Sequence, residues 1–275
     1  MSRTARERRA EWLRTSELGA GELGWLDAAL VGRPWYDFYH RCALDALAGG
    51  QDNRLYWIAE GGTGLILGIE FAGLDVFTLV GELEPREVAQ MVRRRRPAEI
   101  HASADHLAPL VEAAGARLRK QTMLAYCRRR AAEGESWPLD PACRRATTSD
   151  LDALQRFYAA HYPDTVLSAW MLESPFIGLW QDGELVAAAG TLVVHRGLRA
   201  CHVGNFLTHP GARGCGLASR VGGHLFELLR RDGIDVFMLG VQTSNLAALR
   251  VYERHGFERV DERSFLLLAG DTEAA

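Results

Sequence analysis

Long apolar runs and paired cysteines are both missing from this chain of 275 residues. No apolar stretch approaches the roughly 20 residues that a membrane-spanning helix needs, so the sequence predicts no membrane segment. The five cysteines are scattered and include no C-x-x-C pair, a pattern that favours a reduced, cytoplasmic protein. We expect no metal site, because no compact zinc pattern is formed by Cys201, His202, His209, Cys215 and His224.

A strong charge of either sign is also lacking. The net charge of −3 and the pI of about 6.3 give no general attraction to nucleic acid or to an anionic membrane. Lys120 is the only lysine, so almost every basic residue is an arginine. The basic start of the chain is followed by no apolar core, and we therefore do not expect a secretory signal there.

Three common nucleotide-binding and catalytic signatures are absent as well. The sequence contains neither a G-x-S-x-G elbow nor a Walker loop. Gly214-x-Gly216 lacks the third glycine that a dinucleotide-binding fingerprint requires. These absences argue against a serine hydrolase, a P-loop NTPase and a nicotinamide-dependent enzyme.

The strongest positive signal begins with an apolar run that ends at Pro210 and is followed by the loop Arg213-Gly-Cys-Gly216. Apolar residues spaced as on one face of a helix come next and stop at Gly233. A strand, a glycine-containing turn and a helix N-terminus together form an anion site, because backbone N–H groups and the helix dipole face the ligand. Arg213 adds a guanidinium that suits phosphate oxygens.

A second signal lies further along the chain. A buried-looking strand covers residues 235–241, and Ser244 or Asn245 can cap the helix that follows. That helix carries Tyr252 and ends at Gly256-Phe257. Tyr252 lies seven residues after Asn245, two turns along the same helix face.

These two signals, in this order and spacing, resemble the cofactor-binding signatures of the GNAT superfamily of acyl-CoA N-acyltransferases. The matching positions are Arg213-x-x-Gly216-x-Ala218, Asn245, Ala248, Tyr252 and Gly256-Phe257. The resemblance covers about residues 143–268 and implies an α/β GNAT fold there, a mixed, mostly antiparallel sheet flanked by helices. We place this GNAT domain at residues 141–270.

The first half, residues 1–135, reads as a separate α/β domain with its own sheet. Three apolar runs between Leu55 and Val80 predict a meander, followed by alternating helices and strands up to Cys127. This half has the length and strand content of a GNAT-like domain but carries neither cofactor signature. It is either a degenerate GNAT-like copy, which would make the chain a tandem, or an unrelated domain.

The resemblance implies acetyl-CoA or another acyl-CoA as cofactor, held in a gap between two strands. The backbone N–H of Leu207 would then polarise the thioester carbonyl, and the loop after Pro210 would hold the pyrophosphate. The cofactor-binding positions implied in this way are Phe206, Leu207, Thr208, Arg213, Gly214, Cys215, Gly216, Leu217, Ala218, Asn245, Ala248 and Tyr252.

The resemblance also gives Tyr252 the role of the acid that protonates the departing thiolate. A protonated amine needs a base, and His202 falls where some GNAT enzymes carry a catalytic glutamate; an unperturbed histidine has a suitable pKa of about 6.5. Ordered water is the alternative base, and His161, His195 and Tyr162 are weaker candidates. Asn205 could orient a water molecule or the acceptor. Tyr252 and Asn245 also have structural alternatives, as a core tyrosine and a helix cap.

We therefore predict a cytoplasmic acetyl-CoA-dependent N-acetyltransferase that acts as a monomer or homodimer. Its acceptor is an amine of a small molecule or peptide, and no nucleic acid or membrane takes part. The alternative is a catalytically weak acyl-CoA-binding regulatory or scaffold module. The acceptor side is either lined or merely packed by Tyr162, Trp170, Met171 and Trp180.

Overall fold

The chain passes twice through nearly the same order of strands and helices. The computed structural model describes residues 12–59, 63–71, 74–94, 96–163, 165 and 167–270. The basic start therefore lies outside the described residues.

The first pass runs strand, two helices, three strands, helix, strand, helix and strand. Pro34 occupies the first helical position of its helix, where its missing N–H costs nothing. The elements are β1 (Leu13–Arg14), α1 (Ala20–Leu30), α2 (Pro34–Ala48), β2 (Arg54–Ile58), β3 (Gly64–Phe71), β4 (Leu74–Gly81), α3 (Pro85–Val92), β5 (Ala98–Ala102), α4 (Leu107–Ala114) and β6 (Leu118–Arg130). The predicted meander is confirmed as β2, β3 and β4.

The second pass repeats this order with one α-helix instead of two after its first strand. The elements are β7 (Cys143–Arg145), α5 (Leu151–His161), β8 (Phe176–Gln181), β9 (Glu184–His195), β10 (Ala200–Thr208), α6 (Leu217–Arg231), β11 (Val236–Gln242), α7 (Leu246–Arg254) and β12 (Glu258–Leu268). None of the helices in the described ranges is both long and apolar enough to cross a membrane.

The described residues divide into two units, and both divisions fall inside strands. Unit 1 contains the chain up to Ala125 together with the residues from Asp261 onward, and unit 2 is Tyr126–Val260. Unit 1 therefore includes most of β12, and unit 2 includes the end of β6. The limits 1–135 and 141–270 remain predictions of domain boundaries.

In unit 1 the strand order is β1-β2-β3-β4-β5-β12, with the C-terminal strand as the last member. Only β4 and β5 are parallel; the other pairs whose register is defined are antiparallel. One face carries a core between the sheet and α3 and α4, which includes Ile66, Phe77, Val88, Ile100 and Leu110.

In unit 2 the order is β6-β11-β10-β9-β8-β7, and among the pairs whose register is defined only β10 and β11 are parallel. Leu154, Phe157 and Tyr158 of α5 pack on one face of the sheet with Phe176 and Ala188. Phe226 of α6 packs against Phe237 of β11, with 5.1 Å between the ring centroids. Each unit thus has a mixed, mostly antiparallel sheet flanked by helices.

Candidate active site

Strands β10 and β11 are paired only over their first three residues. Ala200, Cys201 and His202 lie opposite Val236, Phe237 and Met238. Beyond this point β10 continues to Thr208 and β11 to Gln242 without pairing with each other. A gap therefore opens between two strands that are neighbours in the sheet, and its edges carry unpaired backbone.

A β-bulge reshapes the β10 side of this gap. In the pairing with β9, Gly204 faces Gly190 and Leu207 faces Ala188, so Asn205 and Phe206 share one partner position. Asn205 has a positive φ of 54°, which is uncommon for a residue with a side chain. The Tyr158 hydroxyl donates a hydrogen bond to the Asn205 carbonyl oxygen, and this bond stabilises the bulge.

A second hydrogen bond holds the Asn205 side chain. The Thr165 hydroxyl donates to Oδ1 of Asn205 over 3.0 Å. Asn205 therefore uses both of its carbonyl oxygens within unit 2. The role expected for it, orientation of a water molecule or the acceptor, remains a prediction; what the structure adds is a part in shaping β10.

The loop after β10 exposes an open helix N-terminus. Gly214 and Gly216 have φ values of 80° and 74°, and no heavy atom lies within 4 Å of a Cβ built on either. Their backbone conformation, not crowding, therefore requires glycine. Gly216 is the N-cap of α6, and no side chain caps this end. The Arg213 side chain is exposed and its Nε donates to the Thr208 carbonyl over 3.4 Å.

Helix α6 approaches β10 closely through Gly222. A Cβ on Gly222 would lie 3.0 Å from Cε1 of Phe206, whereas a Cβ on Gly223 would lie no closer than 3.7 Å to any atom. Gly222 thus explains how the helix reaches the bulged strand, while Gly223 has more room.

Tyr252 lies among aromatic rings beside the bulge. Its ring is 6% exposed and packs edge-on against Phe206, with 5.2 Å between the centroids. Burial raises the pKa of the Tyr252 hydroxyl well above its ordinary value, and Cys127 and Tyr162 raise it further. No hydrogen bond to this hydroxyl is formed within the described part of the chain. Tyr252 is therefore a neutral phenol at physiological pH.

Asn245 is the N-cap of α7, as one of the two sequence readings expected. Its Oδ1 accepts a hydrogen bond from the backbone N–H of Ala248 over 3.1 Å. This bond occupies the side-chain oxygen of Asn245 and the N–H of Ala248. Any cofactor contact of these two residues would have to use their other atoms.

The histidines differ in what they can contribute. His202 is half-buried at the last position where β10 pairs with β11, so it lies where the gap begins. His195 accepts a hydrogen bond at Nδ1 from the Leu198 N–H over 3.0 Å, which makes it part of a hairpin turn. The rings of His161 and His209 are 4.7 Å apart next to the glycine loop. Of this pair, only His161 was named from the sequence as a candidate base.

The aromatic residues proposed for the acceptor side also separate into two groups. Met171 is 4% exposed and belongs to the core under α5, and Trp180 stacks on the Arg144 guanidinium at 3.6 Å. These two side chains pack. Tyr162 and Trp170 are 39% and 42% exposed, respectively, so both can meet a ligand.

Sequence reasoning missed the segment that precedes β7. Trp137 stacks against the Arg129 guanidinium at 4.4 Å and packs on Phe226 of α6. Its backbone N–H donates to Glu227 over 3.2 Å, and Asp140 forms an ion pair with Arg220 of the same helix. The sequence places this segment between the two predicted domains, at residues 135–141; the isolated tryptophan was the signal that it is packed.

Comparisons with known proteins agree with this geometry. Residues 142–257 match the family model described as "Acetyltransferase (GNAT) family". No curated protein matches the chain. Many solved structures do, and those described next share less than 25% identity, so they bear on the fold alone.

Three of these structures illustrate the match. A Drosophila protein aligns over 96% of this chain and 100% of its own, with a TM-score of 0.68 and 11% identity. A GNAT-family protein from Novosphingobium aromaticivorans aligns over 78% of this chain and 88% of its own, with a TM-score of 0.56 and 19% identity. A tandem GNAT protein from the clavulanic acid biosynthesis pathway aligns over 78% of this chain and 82% of its own, with a TM-score of 0.51 and 13% identity.

The family match, the repeated element order and the tandem neighbour support a layout of two α/β domains in one chain. The second of these domains contains both cofactor signatures, the gap and Tyr252. Residues 142–257 belong to the GNAT acetyltransferase family.

Proposed function

We propose that this protein is a cytoplasmic acyltransferase that moves the acyl group of acetyl-CoA, or of another acyl-CoA, directly to an amine of a small molecule or peptide. The observation that carries this proposal is the gap between β10 and β11, with an uncapped helix N-terminus after β10 and the buried ring of Tyr252 packed against Phe206 of β10. An extended arm with an anion at one end and a thioester at the other suits these three features.

The phosphate end of the cofactor would be held by the loop between β10 and α6. N–H groups of Gly214, Gly216, Leu217 and Ala218 would face the pyrophosphate, and Arg213 would add its guanidinium. Several observations support this assignment: Arg213 and both glycines are exposed, and no side chain caps the helix. Cys215 would contribute through its backbone, since the thiol donates only a long contact of 3.8 Å to the Arg213 carbonyl.

The pantetheine arm would lie along the backbone of Phe206, Leu207 and Thr208. The bulge at Asn205 and Phe206 interrupts the pairing with β9 at the start of this stretch, which supports its use for ligand contacts. The Leu207 N–H would donate to the thioester carbonyl and stabilise the negative charge that develops on its oxygen. When bound, the cofactor supplies an activated acyl carbon with a thiolate leaving group.

Two proton transfers complete the reaction. The nitrogen of the neutral amine forms a bond to the acyl carbon as the C–S bond breaks, and this nitrogen loses one proton to a base. Tyr252 would give its proton to the departing sulfur, a role supported by its raised pKa and its unused donor. We assign the base to His202, because it lies at the point where the strands part. Ordered water is the alternative.

Single-turnover transfer of a labelled acetyl group to a panel of primary amines and short peptides tests the proposal. The account expects at least one acceptor to be acetylated, with loss of the signal in Tyr252→Phe. Tight binding of acetyl-CoA without transfer to any acceptor would instead identify a regulatory or scaffold module. Absence of binding would refute the cofactor assignment itself.

A further inference from the structure

The bulge in β10 places a strained residue at the edge of the proposed cofactor gap. Asn205 has a φ of 54°, in the left-handed region, and shares one partner position on β9 with Phe206. The other non-glycine residues with positive φ in the described ranges, Asp182 and Arg199, lie in turns, whereas Asn205 lies inside a strand. Such a conformation persists only where the surrounding structure holds it, and it is concentrated at functional sites.

The surroundings that hold Asn205 come from α5 and the segment after it. Tyr158 of α5 donates its hydroxyl to the main-chain carbonyl of Asn205, and Thr165 donates to Oδ1 over 3.0 Å. The Tyr158 ring is 2% exposed and lies edge-on to Phe157 and Phe176, with the ring centroids 5.8 and 6.4 Å away. Burial raises the pKa of Tyr158 well above its ordinary value, so the hydroxyl keeps its proton at neutral pH. A firmly packed ring thus presents a permanent donor to the bulge.

The bond from Tyr158 fixes a backbone donor as well as a carbonyl. A peptide unit is planar and trans, so its C=O and its N–H point in opposite directions. The unit that contains the Asn205 carbonyl also contains the N–H of Phe206. Because the oxygen is tied to α5, this N–H points away from α5. Leu207 and Thr208 resume the pairing with β9 directly after this fixed unit.

The same peptide unit leads to the tyrosine that we propose as the acid. The Phe206 ring packs edge-on against Tyr252, with 5.2 Å between the centroids. Gly222 leaves room for this ring, since a Cβ there would lie 3.0 Å from Phe206 Cε1. If the peptide between Asn205 and Phe206 turned, the backbone donors of β10 and the contact with Tyr252 would move together.

We infer that Tyr158 is a positioning residue for acyl transfer. Its hydroxyl fixes the peptide between Asn205 and Phe206, and with it the N–H groups of β10 that receive the thioester carbonyl. The inference rests on the proposed function, which places the pantetheine along the backbone of Phe206, Leu207 and Thr208. Tyr158 acts through the backbone of the bulge and not on the reacting atoms. Its position matters because a donor stabilises the developing oxyanion only when it is aimed at that oxygen.

Infrared spectroscopy of bound acetyl-CoA, labelled with carbon-13 at the thioester carbonyl, tests the inference on the full chain. Hydrogen bonds that polarise a carbonyl lower its stretching frequency. Tyr158→Phe removes one hydroxyl and keeps the ring, so its effect on this frequency reports the aim of the β10 donors. We expect the carbonyl band of bound acetyl-CoA to lie at higher frequency in Tyr158→Phe than in the wild-type protein.

Kinetics and binding of a carbonyl-free analogue complete the test. Tyr158→Phe should lower the single-turnover rate of acetyl transfer, measured with the acceptor found in the amine panel, about 10- to 100-fold. Its affinity for S-ethyl-CoA should stay within about twofold of the wild-type value, because this thioether has no carbonyl to misplace. A general loss of structure would weaken both ligands alike.

Thr191→Val is the matched control. The buried Thr191 hydroxyl donates to the Pro175 carbonyl over 2.8 Å, and Thr191 lies opposite Val203, outside the bulge. This variant loses the same kind of bond within unit 2 and should leave the carbonyl band and the rate unchanged. Thr165→Val frees the side chain of Asn205 but not its carbonyl, so it should raise the frequency less than Tyr158→Phe. It provides the test if Tyr158→Phe does not fold.

The outcomes separate this inference from the proposed function. Failure of the wild-type protein to bind acetyl-CoA, or to transfer its acetyl group, would refute the proposed function and this inference with it. If the wild-type protein does both, an unchanged carbonyl band in Tyr158→Phe would overturn the inference alone, as would an unchanged band in Thr165→Val if Tyr158→Phe does not fold. An unchanged single-turnover rate, or an equal loss in Thr191→Val, would do the same, because Tyr158 would then have only a structural role.

Discussion

The two units place very different loops at the same topological position, after the fourth strand and before the next helix. In unit 2 this loop is Thr208–Gly216, with an exposed arginine, two left-handed glycines and an uncapped helix end. In unit 1 it is Gly81–Glu84, and the N-cap Glu84 donates its backbone N–H to the Glu87 carboxylate over 2.8 Å. Pro85 removes another N–H there. The unit 1 helix end is thus filled by its own carboxylates, which repel a phosphate.

The two units also differ in how far their parallel strands are paired. In unit 1, Asp75–Thr78 pair with Ala98–His101, and only the last three residues of β4 and Ala102 of β5 extend beyond them. The pairing of β3 with β4 runs without a register shift. In unit 2, β10 and β11 part after three pairs, and β10 has a bulge. The element order alone therefore does not create a gap between the parallel strands; the bulge and the unpaired strand ends do.

The largest expected effect is on the chemistry that we assign to unit 2 alone. Tyr252→Phe removes one hydroxyl and keeps the ring packing, so the single-turnover rate of acetyl transfer should fall about 100- to 10,000-fold. Acetyl-CoA affinity should change little, because the lost contact is made in the transition state. Tyr36→Phe is the control in unit 1, where a buried tyrosine donates to Asp261 over 3.1 Å. Rates within about twofold of wild type in Tyr252→Phe would remove this residue from the mechanism.

The next effect separates the two loops. Arg213→Glu places a carboxylate beside the proposed pyrophosphate site and should weaken acetyl-CoA binding about 10- to 100-fold. Arg86→Glu makes the same change in the first turn of α3 and should leave the affinity unaltered. Calorimetric titration of both folded variants decides the matter. Equal losses of acetyl-CoA affinity in the two variants, or no loss in either, would contradict the distinction between the loops.

A smaller effect tests the close approach of α6 to the bulge. Gly223→Ala has room for its Cβ and should stabilise unit 2 by about 0.5–1 kcal/mol through helix propensity. Gly222→Ala gains the same propensity but crowds Phe206, so it should be about 1–2 kcal/mol less stable than Gly223→Ala. Denaturant unfolding compares the two variants. Equal stabilities would show that Phe206 yields easily and that the close contact sets no constraint.

The last prediction concerns the pH dependence of stability in the packed segment of unit 2. The Arg230 guanidinium, with Arg231 and the Trp137 N–H, lowers the pKa of Glu227 to about 2. Because the folded pKa lies below the unfolded value of about 4.3, this stability is present above that value and is lost as the pH falls toward 2. Glu227→Gln should therefore flatten the dependence of unfolding free energy on pH between about 4.5 and 2. An unchanged slope, equal to that of exposed Glu258→Gln, would contradict the ion-pair account.

The parts of this structure that depend on neighbours in sequence were predictable. Gly214 and Gly216 indicate a left-handed turn, and the Asn245 cap marks the start of α7. Long-range pairing was not predictable, because nothing local shows that the last strand would lie beside β5. The bulge at Asn205 was missed for the same reason: its stabilising hydroxyl belongs to Tyr158, which lies 47 residues away in the chain.

The central claim is that only unit 2 holds the acyl-CoA. A crystal structure of the protein with acetyl-CoA tests it most directly. The account predicts one cofactor per chain, with the pantetheine between β10 and β11 and the pyrophosphate on the N–H groups from Gly214 to Ala218. A cofactor between β4 and β5, a pyrophosphate on the loop Gly81–Glu84, or two cofactors per chain would contradict it.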